Sequence, residues 1–140
     1  MSEENQSSEK DAEKKDEQPP SLVSILKQYP SAPSQEQIEQ WKVLHGDLFV
    51  SGFSETELYV FRALKRKDWI ELQVIASKPE NKVDEYRFQE LVCDRVLLWK
   101  SVDVSWADGK GGTPTTLQEQ ILQNSNFMSP QAASCLVCKL

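Results

Sequence analysis

Few residues of this chain have side chains suited to catalysis or metal binding. His45 is the single histidine, and the cysteines are Cys93, Cys135 and Cys138. Cys135 and Cys138 have the C-x-x-C spacing of half a zinc site, but a closed tetrahedral site needs four ligands, and only Cys93 and His45 remain to complete it. We therefore expect no metal site, and we interpret Cys135 as a small apolar side chain packed on a terminal helix.

The same chemistry-bearing residues do not form a recognisable catalytic arrangement. A hydrolytic triad needs an activated nucleophile near the histidine, whereas Ser54, Ser101 and Cys93 lie in no known nucleophile motif. The carboxylates are dispersed rather than paired in an apolar pattern. The glycine-rich stretch 109–112 around Lys110 lacks the spacing of a phosphate-binding loop. We expect that the protein is not an enzyme and holds no cofactor.

Composition and charge exclude further classes of protein. The chain has 140 residues, of which 39% are hydrophobic and 27% charged, and no apolar run approaches the ~18 residues of a membrane-spanning helix. Its formal charge is -6, which offers no general attraction for a phosphate backbone. The basic run 65–67 is too short for a nucleic-acid footprint. We therefore expect neither a membrane nor a nucleic acid as partner.

Residues 1–20 have the composition of a disordered acidic tail. This segment carries a net charge of -4 and contains no aromatic or β-branched residue, so it has too little apolar surface to offset the entropy of ordering. It shows neither a secretory signal nor a transit peptide. We expect the protein to stay in the cytoplasm where it is made.

Residues 21–33 are predicted to form a short amphipathic helix and a linker. Leu22, Ile25 and Leu26 follow one another at helical spacing and form an apolar stripe. A helix this short is marginal by itself, so it must dock. Two interpretations remain open: the stripe packs on its own domain, or it binds a groove on another protein.

A capped helix and a β-hairpin are predicted next. Ser34 and Gln37 form a capping box, and Gly46 stands where a C-terminal cap would lie. Residues 47–64 then change to a two-residue period, with a connection over 52–56. An isolated hairpin is marginally stable. It must be covered by helices or extended by a partner strand, which its free edges would permit.

The remaining chain is predicted to be helical. A helix should begin after the basic run and carry Trp69, and a longer one should extend over residues 80–99, becoming continuously apolar at its end. Thr113 and Ser129 each precede a proline and are predicted N-caps of two further short helices. The sequence thus predicts a small single α+β domain over residues 34–140, with short helices packed around the hairpin.

Three stretches of the chain resemble small tail-assembly and virion structural proteins of tailed bacteriophages. Residues 45–69 resemble a hairpin that ends in Phe-Arg-Pro-Leu and leads into a helix opening with Thr-Arg-Lys-Glu. Residues 92–99 are similar to the Cys-Val-Leu-aromatic helix of those proteins. Residues 112–127 are similar to their Gly-x-Pro-x-Thr-Leu segment ending in Ser-Gly-Phe. Here Lys65 replaces the capping threonine, and Asn126 stands in place of the usual glycine.

The resemblance implies a protein of phage tail morphogenesis. It favours a tail-assembly chaperone that binds the tape-measure protein and tail-tube subunits in the host cytoplasm. The alternative is a structural component that remains in the virion, such as a baseplate or tail-hub protein. Other phage tail proteins are the expected partners, and a homo-oligomer stays open. The predicted partner-binding residues are Arg62, Arg66 and Trp69 at the hairpin-to-helix junction, and Leu22, Ile25 and Leu26 on the short helix.

Overall fold

The structure, a computed structural model, describes residues 21–140, and the predicted disordered tail of residues 1–20 lies outside them. The described residues form an α+β domain in which helices pack on both faces of a three-stranded antiparallel sheet, which confirms the predicted fold class. In chain order the elements are α1 (Leu22–Lys27), α2 (Gln35–His45), β1 (Leu48–Ser54), β2 (Glu57–Arg62), α3 (Arg66–Ser77), a 3-10 turn (Pro79–Asn81), α4 (Glu85–Val96), β3 (Leu97–Lys100), α5 (Thr113–Gln123) and α6 (Pro130–Ser134).

The predicted hairpin is present, and it forms two of the three strands. β1 and β2 pair antiparallel, with Val50 opposite Val60, and the chain reverses within the predicted connection. The register shifts between Gly52 and Ser54, a bulge that increases the local twist. β2 is the central strand, so β1 and β3 form the two edges of the sheet.

The end of the predicted long helix is wrong. α4 stops at Val96, and Leu97 adopts extended backbone angles of φ -66° and ψ 128°. Residues 97–100 form β3, which places Trp99 opposite Val60. A short, continuously apolar run fits a buried strand as well as a buried helix. Residues 97–100 form a strand because their backbone groups pair with the side of β2 that β1 leaves open.

Side chains of β2 alternate between two cores, one on each face of the sheet. Tyr59 and Phe61 point to the face covered by α3, α4 and α5, which we call the thick layer. Leu58 and Val60 point to the opposite face, covered by α1 and α2, which we call the thin layer. The buried members of the thick-layer core are Tyr59, Phe61, Leu64, Leu72, Val92, Cys93, Val96, Leu117 and Ile121.

The thin-layer core is much smaller. Its buried members are Leu26, Leu58 and Val60, with Trp41 and Val50 among the partly buried side chains around them. α2 has no buried residue at all. The thin layer is therefore held mainly by partly buried side chains rather than by a fully packed core.

Local capping follows the sequence in two places and departs from it in a third. The Ser34 side chain accepts a hydrogen bond from the Gln37 backbone N–H at 3.1 Å, and Gly46 ends α2 with φ 83°, as predicted. Ser129 caps α6 in the same way. Thr113 is instead the first residue of α5, and its hydroxyl donates to the Glu57 carboxylate at 3.1 Å. That prediction failed because a contact distant in sequence takes the hydroxyl.

The predicted last helix is shorter than expected. α6 ends at Ser134, and Cys135 is exposed rather than packed. All residues from Met128 to Leu140 are exposed. A five-residue helix with no apolar contact has little to stabilise it, so this end of the described chain makes no core of its own.

Candidate protein-binding edge

β1 offers an unpaired outer edge to a partner. It is an edge strand of seven residues, Leu48–Ser54, and none of them is charged. Within residues 21–140, no other segment makes a backbone hydrogen bond to it beyond the β1–β2 ladder. Natural proteins usually protect such an edge with charge, proline or a short strand. β1 has only its bulge, so its outer N–H and C=O groups are open to another strand.

An apolar groove lies along β1 on the thin-layer face. It has a volume of about 200 Å³ and opens between α1, α2 and the strand. The side chains that give it apolar walls are Val23, Leu26, Ile38, Leu48 and Val50. Since side chains of an added strand alternate between faces, every second residue of a partner strand would enter this groove.

A second groove lies along the outer edge of β1, between Leu22 of the thin layer and α5 of the thick layer, and it is more polar. Its volume is about 520 Å³, and Ser51, Gln120 and Asn124 supply polar groups beside Phe49. The Ser51 hydroxyl donates a hydrogen bond to the Gln120 side-chain oxygen. An added strand would therefore meet an apolar face on one side and an amide-rich face on the other. We call these two the apolar groove and the polar groove.

The other edge of the sheet, formed by β3, is less suited to pairing with a further strand. β3 has only four residues and ends in the exposed Lys100. Trp99 packs edge-on against Tyr29, with ring centroids 5.5 Å apart. The Ser101 hydroxyl caps this end by accepting from the Leu58 backbone N–H at 2.7 Å. A short strand with a terminal lysine is a poor template for further pairing, so β1 is the edge that suits a partner.

Arg62, predicted to bind a partner, is held inside the domain. Its guanidinium donates to both carboxylate oxygens of Asp68, at 2.7 and 3.2 Å, and to the backbone carbonyls of Ala63 and Arg95. The side chains of Arg62 and Asp68 are 12% and 4% exposed. These contacts tie the end of β2 to the start of α3 and the end of α4.

The pKa of Asp68 reflects the same network. Burial opposes ionisation of this carboxyl, but hydrogen bonds from Arg62 and from the Lys65 backbone, with the charges of Arg62 and Arg95, hold its pKa below the ordinary value of 3.8. Asp68 also accepts from the Lys65 N–H at 2.9 Å, which caps α3. Lys65, which stands in place of the threonine of the similar proteins, has no side-chain oxygen to cap α3, so only the carboxylate half of a capping box remains.

Arg66 and Trp69 lie at the predicted junction, but only Arg66 is exposed. The Trp69 ring is partly buried, with its centroid 4.6 Å from that of Phe127 and 5.6 Å from that of Phe88. It packs beside the thick-layer core. Arg66 and Trp69 therefore share a small surface at the start of α3, and neither of them lines a groove beside β1.

The predicted docking stripe of α1 packs on this chain's own sheet. Leu26 is buried in the thin-layer core, and Ile25 packs against it. Leu22 keeps 39% of its surface exposed and lies over Gly52. The Tyr29 hydroxyl adds a hydrogen bond to the Glu55 carbonyl of the hairpin turn. Of the two interpretations left open, the structure shows the intramolecular one.

The three thiols differ in their surroundings. Cys93 is buried in the thick-layer core, where burial, aided by the nearby Asp94 charge, raises its pKa to about 12. Cys135 and Cys138 are exposed. His45 is the last residue of α2. Among residues 21–140, no cluster of three or more histidine, cysteine or acidic side chains is placed to hold a metal ion.

No helix in the described part of the chain has the length and apolar character to cross a membrane. The chain matches no known protein family, no curated protein and no solved structure. The class of the protein is therefore given by its architecture, an α+β domain with one open sheet edge.

Proposed function

We propose that this chain is a protein-binding assembly module that takes an extended segment of another protein at the outer edge of β1. The supporting observation is the uncharged, unpaired strand β1, with the apolar groove and the polar groove on its two faces. In strand addition, main-chain hydrogen bonds give affinity and the pockets beside the strand give specificity.

The chemistry of the edge defines the kind of segment it would take. The seven uncharged residues of β1 offer no ion pair, so a basic partner strand would lose hydration without compensation. Lys27 and Lys42 also line the apolar groove, and they disfavour basic side chains there. A fitting segment has alternating apolar residues on one face, and polar residues on the other that can meet Ser51 and Gln120.

The role we propose for this binding is that of a tail-assembly chaperone of a tailed bacteriophage, acting in the host cytoplasm. The sequence resemblance over residues 45–69, 92–99 and 112–127 supports the phage assignment. An open edge that shields an apolar segment by strand addition, and later releases it, suits a chaperone for the tape-measure protein or tail-tube subunits. The proposed partners are therefore other tail proteins.

Affinity capture after co-expression with the neighbouring tail genes tests this proposal. We expect the unmodified chain to capture a tail protein and the Val50→Lys variant to lose it, because a lysine at the groove blocks an incoming strand. Val43→Lys is the matched control, since Val43 is 86% exposed on α2 and lines neither groove. Equal capture by all three chains would contradict the proposal.

A second variant separates lost binding from lost folding. Ile38→Glu alters the apolar groove from the α2 side, and α2 contributes no buried residue to the core. It should fold, as judged by a cooperative thermal transition, and still fail to capture the partner. Protein analysis of purified virions then tests the chaperone role: a chaperone is absent from the finished particle, whereas a fixed copy number there would identify a structural component.

A further inference from the structure

A second described segment lacks a partner, as the outer edge of β1 does. Residues 135–140, which we call the 135–140 segment, follow α6 and are exposed: Leu136 is 70% exposed, Val137 79% and Leu140 fully exposed. Three short-range backbone bonds, to Ala132, Ala133 and Ser134, hold only its first part, at 3.2, 3.1 and 3.4 Å. An apolar segment with so little structure is free to become a strand.

The residue pattern of this segment matches the two grooves beside β1. In an extended conformation Leu136, Cys138 and Leu140 share one face, and Val137 and Lys139 share the other. Antiparallel pairing of Leu140 with Leu48 would place Cys138 opposite Val50 and Leu136 opposite Gly52. The apolar face then enters the apolar groove, and Lys139 faces the polar groove.

Charge favours this arrangement over pairing of two β1 strands. In the register above, Lys139 opposes Phe49 and lies diagonally beside Asp47, an opposite charge within reach of a long side chain. Two β1 strands paired antiparallel about Ser51 would instead set Asp47 opposite Glu55 at both ends. Like charges directly opposite are destabilising, so the 135–140 segment is the better occupant.

We infer that the 135–140 segment of a second copy of this chain pairs with the outer edge of β1 when no other protein occupies it. In the structure the chain's own segment stays exposed and leaves its own apolar groove open. The inference rests on the proposed role of the β1 edge and adds regulation to it. Self-pairing covers the edge, and an assembly partner must displace it.

Self-association of the full chain is the first test. Light scattering across a concentration series should show the mass rising above the 16.0 kDa of one chain. A double variant, Leu136→Lys with Leu140→Lys, should weaken association by about tenfold or more, because it places ammonium groups in an apolar groove that Lys27 and Lys42 also line. Val43→Lys is the matched control and should associate like the unmodified chain.

Every other result of this test overturns the inference. A chain that stays monomeric throughout has no self-pairing. Unchanged association of the double variant assigns the contact to another surface, including β1 with β1. If Val43→Lys weakens association equally, the attraction between chains is non-specific. Since Leu136 and Leu140 are exposed, their replacement leaves the fold intact.

A thiol cross-link reports the register. In the Val50→Cys variant, mild oxidation should join the new cysteine to the native Cys138 of another copy, giving a dimer on a non-reducing gel and a linked peptide by mass spectrometry. Adding Cys138→Ser should remove that link. A link within one chain would show that the segment folds back on its own edge, and absence of any 50–138 link would contradict the pairing.

Partner capture and self-association are separate readouts. If the unmodified chain self-associates but captures no tail protein, the proposed function alone is contradicted. Retained capture by a chain that never self-associates contradicts this inference alone. The double variant gives a third readout. Because the outer edge of β1 is no longer covered, this variant should capture the partner at lower concentrations than the unmodified chain.

Discussion

The thick and thin layers bury the two faces of the same strand to very different extents. On the thick-layer face nine residues are buried around Tyr59 and Phe61, and the Arg62–Asp68 ion pair joins three elements at its margin. On the thin-layer face three residues are buried, and a groove stays open beside them. The thick layer thus supplies most of the core, and the thin layer leaves the outer edge of β1 accessible, as the proposed binding requires.

A matched pair of leucine truncations tests that division most strongly. Leu72 and Leu26 are both buried, at 2% and 6% exposure, but they lie in the thick and thin layers respectively. Leu72→Ala should lower the free energy of unfolding by about 4 kcal/mol, and Leu26→Ala by about 2 kcal/mol, because an open groove leaves less of an enclosed cavity. Urea unfolding measures both. An equal or larger loss at Leu26 would mean that the thin layer is an equal part of the core.

Removing the charge of Asp68 should have the next largest effect. Asp68→Asn leaves the Arg62 guanidinium partly buried without its anionic partner, and breaking such a pair costs about 3 kcal/mol. The same unfolding experiment at neutral pH measures it. Glu71→Gln is the control, because Glu71 bonds to Arg95 at 2.6 Å from a 55% exposed position and should cost far less.

Acid titration sharpens this prediction. Because folding lowers the pKa of Asp68, the ionised carboxylate stabilises the fold fully above its ordinary pKa of 3.8, and that contribution is lost as the pH falls through the lowered value. The unmodified chain should therefore lose stability below about pH 4 more steeply than Asp68→Asn. Parallel curves for the two chains would show that the Arg62 contact contributes nothing.

Thiol labelling is the experiment that disturbs the protein least. It compares the buried Cys93 with the exposed Cys135 and Cys138. Cys135 and Cys138 should react quickly with a maleimide at neutral pH, whereas Cys93 should react only after unfolding, because its pKa of about 12 leaves little thiolate. Mass spectrometry counts the labels. Rapid labelling of all three thiols would mean that the thick layer opens readily.

Local patterns predicted much of the fold. The Ser34 cap, the end of α2 at Gly46 and the hairpin all depend on residues a few positions apart, and the structure has each of them. β3 was missed because Leu97 becomes extended only when β2 is beside it. Thr113 was misassigned for a similar reason, since Glu57 takes its hydroxyl from a distant part of the chain.

The site was predicted in kind but not in detail. Sequence patterns predicted a hairpin with edges open to strand addition, but they did not single out residues 48–54 as an uncharged edge strand. Which edge stays open depends on where β3 pairs, which the pattern did not reveal. The sequence does not reveal that Arg62, a predicted partner-binding residue, pairs with Asp68. The thick layer holds Arg62 and much of Trp69 in internal contacts.

The charge-free composition of β1 has a consequence for ionic strength. At 0.1 M salt, dissolved ions largely screen the interaction between exposed charges more than about 10 Å apart, but they have little effect on main-chain hydrogen bonds between uncharged strands. A segment bound along Leu48–Ser54 should therefore be held almost equally in dilute buffer and in concentrated salt. Only the diagonal Lys139–Asp47 contact would weaken as salt is added.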